Sequence, residues 1–280
     1  MSIRTAARPV VVGVDGSGAG QAALRWAVDE SRRRRAPLCV LHATDMRHSE
    51  PFVRANPVFV GEERRAAEEV LAAAVGHVRA CAPELDVRPV IGDHAPAVAL
   101  LRYAESAALV VVGSRGRGGF AGLLLGSTSL HVAMHAPGPV VVVRPTTPAR
   151  SPGPSVGRIV VGIDGSPQST CAIRFAVERA DDCGLGLTVV RVRQSQRTRR
   201  HDRALPADCL DPCRRRHPDV DVEEKTVVGN VGSALVDESA GAQLLVVGSR
   251  GRGGFSGLLL GSVSHACLHH AHCPVAVVRC

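Results

Sequence analysis

Two stretches of the chain carry residue types suited to holding an anion: Val111 to Ser127, VVGSRGRGGFAGLLLGS, and Val246 to Ser262, VVGSRGRGGFSGLLLGS, which differ only as Ala121 against Ser256. Each ends an apolar run in a glycine, Gly113 or Gly248. Two residues follow, then Gly116 or Gly251, then nine residues, then Gly126–Ser127 or Gly261–Ser262. Ser114, Gly118 and Gly119, with Ser249, Gly253 and Gly254, share the loops. Glycines let backbone amides approach a ligand closely, and a helix start beyond them adds unpaired amides and a positive dipole end. Arg115, Arg117, Arg250 and Arg252 supply cationic donors. The chemistry indicated is polyphosphate binding. It is not that of a P-loop ATPase, because no lysine follows a glycine here and Lys225 is the only lysine in the chain.

The elements that position these loops repeat as well. Leu109 to Val112 reads as a buried strand, and Ser127, followed by a periodic segment, reads as a helix N-cap. Upstream, Val10 to Asp15 (VVVGVD) is a near-continuous apolar run that suits a strand buried on both faces. Ala19 to Arg35 has helical spacing, and the arginines at 32 to 35 complement a helix C-terminus. Leu38 to Ala43 is a strand and Glu62 to Cys81 an amphipathic helix with a Val70, Leu71, Val75, Val78 stripe. Then come strand Val87 to Ile91, helix Ala95 to Ser106, the glycine loop, helix Ser127 to His135 and strand Val140 to Val143.

Strand one of repeat 2 is Ile159 to Asp164. Its later strands are Leu187 to Val192, Val222 to Val228, Leu244 to Val247 and Val275 to Val278. Pro145 to Ser155, with four prolines, reads as a semi-rigid linker. The fold class expected is α/β: two Rossmann-like domains, residues 1–146 and 156–280, each a five-stranded parallel sheet with helices on both faces. Ligands of such sheets sit at the carboxyl ends of strands where strand order reverses. If strands one and four flank that point, Asp15 and Asp164 face the glycine loops. Each aspartate then has two readings, a ribose hydrogen-bond acceptor or an Asx turn into a helix cap.

From Asp15 to Gly113 is 98 positions, and from Asp164 to Gly248 only 84. Most of the difference falls between strands two and three, where Arg193 to His217 holds Pro206, Pro212 and many arginines in place of the amphipathic helix. A looser region is expected there.

Composition sets bounds. At 280 residues and 45% hydrophobic the chain can fold as two ordinary domains, and no apolar run is long enough to span a membrane. The N-terminus has no signal-peptide pattern, which places the protein in the cytoplasm. Nine cysteines without a CxxC pair then read as reduced thiols rather than a disulfide framework. The net charge of +8 reflects either an anionic partner or plain arginine bias. Nucleic acid is disfavoured, because no aromatic residue lies between Phe175 and Phe255 although nine arginines crowd positions 191 to 216. Cys267, His269, His270, His272 and Cys273 imitate a metal site. Their repeat 1 counterparts are Val132, Met134, His135, Pro137 and Gly138, so the segment reads as a helix end leading into a strand, and no metal is expected.

With GVDGS at 13 to 17 and GIDGS at 162 to 166 added to the glycine pattern, the sequence resembles the universal stress protein family in its tandem, ATP-binding form, over nearly the whole chain. The resemblance implies that Asp15 and Gly113 contact the ribose and Gly116, Gly126 and Ser127 the phosphates. It sets the Ala43 backbone against adenine. In repeat 2 it implies Asp164, Val192, Gly248, Gly251, Gly261 and Ser262. It further implies a cytoplasmic stress regulator, not an enzyme, that binds ATP or another adenine nucleotide (ADP, AMP or cyclic AMP), with Mg2+ accompanying the nucleotide. It also implies a regulatory protein partner and pairing through the last strand, within the chain or in a homodimer. Two other readings stand beside it, a nucleotide-free scaffold and a slow ATP-hydrolysing enzyme.

Overall fold

The structure, a computed structural model, describes residues 7–44, 57–116, 124–145, 155–193, 207–252 and 259–280. Arg117, Gly118, Gly119, Gly253 and Gly254 lie outside the described residues. The chain divides into two compact units, Met1–Pro145 and Thr146–Cys280.

In unit 1, five strands alternate with helices: β1 (Val10–Gly13), α1 (Gly18–Arg34), β2 (Leu38–Ala43), α2 (Pro57–Cys81), β3 (Val87–Gly92), α3 (Pro96–Ala104), β4 (Leu109–Gly113), α4 (Ser127–His135) and β5 (Val140–Val143). All pairings are parallel, in the order β3-β2-β1-β4-β5. Val10, Val11 and Val12 are fully buried, because α1 and α2 cover one face and α3 and α4 the other. A buried valine contributes on the order of 1.5–3 kcal/mol, which is why these strands read as unbroken apolar runs. At the sheet's end, β3 carries exposed Arg88 and Pro89, residues that blunt an edge.

Helix α1 starts where its sequence says it should: Ser17 Oγ accepts the Gly20 amide at 3.0 Å. Its last turn holds Arg32, Arg33 and Arg34. Buried Glu30 takes Arg34 at 2.6 Å and Arg33 at 3.7 Å, while Arg32 reaches Glu84 at 2.8 Å. The arginine run is thus the helix's C-terminal charge.

Unit 2 repeats the plan: β6 (Ile159–Ile163), α5 (Pro167–Cys183), β7 (Leu187–Arg193), α6 (Ala207–Arg216), β8 (Val222–Val228), α7 (Val231–Glu238), β9 (Leu244–Gly248), α8 (Ser262–His270) and β10 (Val275–Val278). Its strands are parallel in the order β8-β7-β6-β9-β10.

Four expectations need correction. The N-caps of α4 and α8 are Gly126 and Gly261, so Ser127 and Ser262 are the first helical residues. Helix α2 begins at Pro57, five residues before Glu62, with proline at a position whose amide has no helical partner. Within the stretch expected to be loose, residues 207–216 are helical despite the internal Pro212. Finally, not every cysteine is a free thiol: Cys171 and Cys280 form a disulfide.

Candidate functional site

In unit 1, β1 and β4 are neighbours and their connections leave in opposite directions, so the switch point lies between them. Gly113 closes β4 there because α1 starts against it: a Cβ on Gly113 would sit 2.6 Å from the Ala19 carbonyl carbon and 2.9 Å from the Gly20 amide. The chain then continues alongside β5, with Ser114 N donating to Val143 O at 2.7 Å, and returns so that Gly126 N donates to Ser114 O at 2.7 Å. The return delivers the N-terminus of α4, where the amides of Ser127, Thr128 and Ser129 have no helical partner. Ser129 Oγ donates to Gly113 O at 2.5 Å and ties that helix start to the strand end.

Unit 2 matches this bond for bond. Ser249 N donates to Val278 O at 2.8 Å, Gly261 N to Ser249 O at 2.8 Å, and Ser264 Oγ to Gly248 O at 2.6 Å.

The aspartates face the loops and also form Asx turns, so both readings of them find a basis. Asp15 Oδ1 accepts from Ser17 N at 3.0 Å and from Ser17 Oγ at 2.6 Å. Its Oδ2 lies 2.6 Å from where a Cβ on Gly116 would be. Asp164 Oδ1 accepts from Ser166 N at 2.9 Å and Ser169 Oγ at 2.6 Å, and its Oδ2 takes the Arg252 amide at 2.7 Å. A Cβ on Gly251 would fall still closer to the carboxylate. Gly116 and Gly251 are therefore glycines because an aspartate packs on them. Burial pushes the Asp164 pKa up, but the hydrogen bonds from Ser166, Ser169 and the Arg252 amide outweigh it and hold the carboxyl below its ordinary value.

Around these groups lies a cavity of about 540 Å3 in unit 1, with one of about 520 Å3 in unit 2. The first brings together Asp15, Ala43, Gly113, Arg115, Gly116, Gly126 and Ser127. Asp164, Val192, Gly248, Arg250, Gly251, Arg252, Gly261 and Ser262 line the second. Ser114 and Ser249 are buried and line neither; they build the loop's return.

Residues that the sequence reading passed over also line these cavities. His42, whose Nδ1 lies 2.7 Å from Val14 O, walls the far end in unit 1 with Leu41, Pro96 and Leu100; in unit 2 Val190, Val231 and Leu235 take the places of the last three. Ser129 and Ser264 recur at the same offset in both copies, a signal that aligning the repeats reveals.

The cavity of unit 2 is cationic. Arg250 and Arg252 line it; Arg279, outside the lining, is pushed below the ordinary arginine pKa by burial and by the charge of Arg250. The Arg252 guanidinium carbon lies 3.5 Å from where a Cβ on Gly165 would be, over the Asp–Gly–Ser turn. Unpaired amides, a helix dipole and guanidinium groups at one strand end suit an anion with several oxygens. Among the described residues, no group of three or more His, Cys, Asp or Glu side chains could hold a metal, and no helix is long and apolar enough to cross a membrane.

Fold and cavities together define a tandem, parallel-sheet α/β protein with a cleft at each switch point. The universal stress protein family profile matches residues 6–144 and 155–279, and the chain belongs to that family. It is similar to a universal stress protein of Mycolicibacterium smegmatis, 34% identical over 297 residues that cover 96% of each chain. A universal stress protein of Mycobacterium tuberculosis is 35% identical over 289 residues, again 96% of each. In fold it is similar to a universal stress protein structure from Archaeoglobus fulgidus, with a TM-score of 0.73, 21% identity, and coverage of 97% of this chain and 96% of that one.

Proposed function

We propose that this chain is a cytoplasmic ATP-binding regulator with one nucleotide site per unit, and that it signals nucleotide occupancy to a protein partner. The observation that carries this reading is the duplicated cradle: helix-start amides at Ser127–Ser129 and Ser262–Ser264, each beside a loop arginine and opposite an aspartate at a strand end. The amides and arginines suit phosphates, the aspartate suits a ribose hydroxyl, and the apolar far walls suit a base. Other adenine nucleotides offer the same groups, and Mg2+ enters with the phosphates rather than through a protein cage.

The chain is not an efficient enzyme in this reading. Phosphoryl transfer needs a positioned nucleophile as well as charge stabilisation; the cavities offer arginines for the second, while their carboxylates, Asp15 and Asp164, are engaged in Asx turns and in this reading hold the ribose rather than activate a nucleophile.

The scaffold reading also has support, because packing against the aspartates accounts for Gly116 and Gly251 without any ligand. Releasing small molecules from the purified protein by heat and identifying them by mass spectrometry separates the two. Stoichiometric adenine nucleotide is expected; ligand-free protein that takes up no added ATP sinks the proposal in favour of the scaffold.

A further inference from the structure

Unit 2 carries a covalent tie whose two positions in unit 1 are occupied by Ala22 and Pro145. Cys171 and Cys280, with Cα atoms 5.8 Å apart and 109 positions apart in sequence, form a disulfide. Cys171 lies on α5 two residues after Ser169, whose hydroxyl holds Asp164 at 2.6 Å. Cys280 follows Arg279, whose Nη2 donates to Leu259 O at 3.3 Å on the returning arm of the glycine loop. Just before it, Val278 accepts the Ser249 amide that starts the loop. The bond thus staples the helix carrying the aspartate clamp, Ser169, to the strand end whose Arg279 holds the returning arm of the glycine loop.

The staple is also open to exchange. Cys280 is exposed and Cys171 half-buried, so a small dithiol reaches the bond. Buried thiols elsewhere are held protonated: burial pushes Cys39 up to about 11 and Cys267 up to about 12. Disulfides that end on an exposed sulfur are the labile ones, and in reducing compartments such bonds are mostly transient sensors.

We propose that the Cys171–Cys280 bond is a reversible redox control on the unit 2 site, slowing release of its ligand when oxidised and leaving the unit 1 site untouched. In the reductive step a dithiol attacks one sulfur as its thiolate and forms a mixed disulfide, and its second thiol then displaces the remaining cysteine. Two electrons and two protons pass to Cys171 and Cys280, and the reductant leaves as its cyclic disulfide. Losing the staple lets β10's end and Arg279 move from Leu259, which loosens the loop arm over the phosphates.

The inference rests on the nucleotide reading above, and its test keeps the two apart. Full-length protein with Ser127→Glu reports only the unit 2 site, and Ser262→Glu only the unit 1 site. Each is loaded with fluorescently labelled ATP and chased with excess unlabelled ATP before and after treatment with dithiothreitol, so that the release rate is read directly, and thiols are counted by alkylation and mass spectrometry. Reduction is expected to speed ATP release from unit 2 about tenfold with no change in unit 1. A Cys171→Ser chain should show the fast rate in both states. Equal rates for oxidised and reduced unit 2, or alkylation showing that the two cysteines never pair after oxidation, overturns the proposal. Should neither chain bind ATP, the nucleotide reading fails by itself. The control is then judged by hydrogen exchange at Leu259 to Ser262: faster exchange on reduction supports it and unchanged exchange overturns it.

Discussion

The two cavities are alike where backbone does the work and different where side chains do. At the loop ends, the bonds of Ser114 and Gly126 in unit 1 recur at Ser249 and Gly261 in unit 2 with nearly the same lengths. At the aspartates they part. Gly20, where a Cβ would lie 2.8 Å from Asp15 Oδ1, is replaced in unit 2 by Ser169, whose hydroxyl donates to Asp164. At the far wall unit 1 presents His42 and Ala43 to its cavity, and at the matching positions of unit 2 Val192 lines the cavity while Arg191 does not. A backbone cradle tolerates little drift because a Cβ at Gly113, Gly116, Gly248 or Gly251 intrudes on it, whereas the groups that clamp the aspartate and cover the far end can be exchanged singly.

The largest effect should come from placing a carboxylate in the cradle. Ser127→Glu and Ser262→Glu keep the helices, because a helix start favours an acid. Two charges about 4 Å apart at an effective dielectric of about 20 repel by about 4 kcal/mol, so each variant should weaken ATP binding in its own unit by at least about 100-fold. Calorimetry should find half the wild-type stoichiometry for either variant and none for the double. If one variant abolishes both sites, the units are not independent.

Next in size is the packing of loop on aspartate. Gly116→Ala and Gly251→Ala put a methyl group into the carboxylates of Asp15 and Asp164, and overpacking of this kind costs about 1–3 kcal/mol. Urea unfolding should resolve the loss, at least as large for Gly251 as for Gly116. A substitution at Gly116 therefore reports on the aspartate before it reports on a phosphate.

Ser169→Ala sharpens the contrast between the aspartates. It removes one donor to Asp164 and should cost about 1 kcal/mol, below the usual range for a bond to a charged group because the carboxylate is half-exposed. The folded pKa of Asp164 is depressed, so its contribution to stability is complete above the ordinary carboxylate value and is lost as pH falls through the lower, folded one. Ser169→Ala should raise that folded value, so acid unfolding of unit 2 begins at higher pH. An unchanged acid transition would show that Ser166 and Arg252 suffice.

The smallest effect concerns the far end of the cavities. Because His42 lines the far end in unit 1 and its counterpart Arg191 does not line the cavity of unit 2, unit 2 should hold ATP up to about tenfold less tightly than unit 1, a difference of about 1.4 kcal/mol. Calorimetry of Asp15→Ala and Asp164→Ala isolates each remaining site, and equal affinities would erase the asymmetry.

The strands were legible to within two residues, and most sharply where a strand is buried on both faces and so reads as an apolar run. Asp15 and Asp164 could be placed opposite the loops only on the condition that strands one and four are neighbours, a condition the strand pairing meets. Other features were hidden for physical reasons. Gly126 caps α4 through its extended backbone and makes no side-chain bond, so the adjacent serine drew the assignment. Pro212 reads as a breaker, yet a helix loses only one hydrogen bond to it when its neighbours continue. Cys171 and Cys280 carry no spacing signal across 109 positions; only the fold brings them together. The clamp at Ser169 was visible by aligning the repeats, but a serine in place of a glycine means nothing until the carboxylate beside it is located.

The terminal strands of the two sheets have a consequence outside ligand binding. Strand β3 presents Arg88 and Pro89, and β8 presents Glu223 and Glu224. An incoming strand would have to desolvate these charges and, at Pro89, would find no amide to pair with. At those two margins the addition of a strand from a further copy is disfavoured.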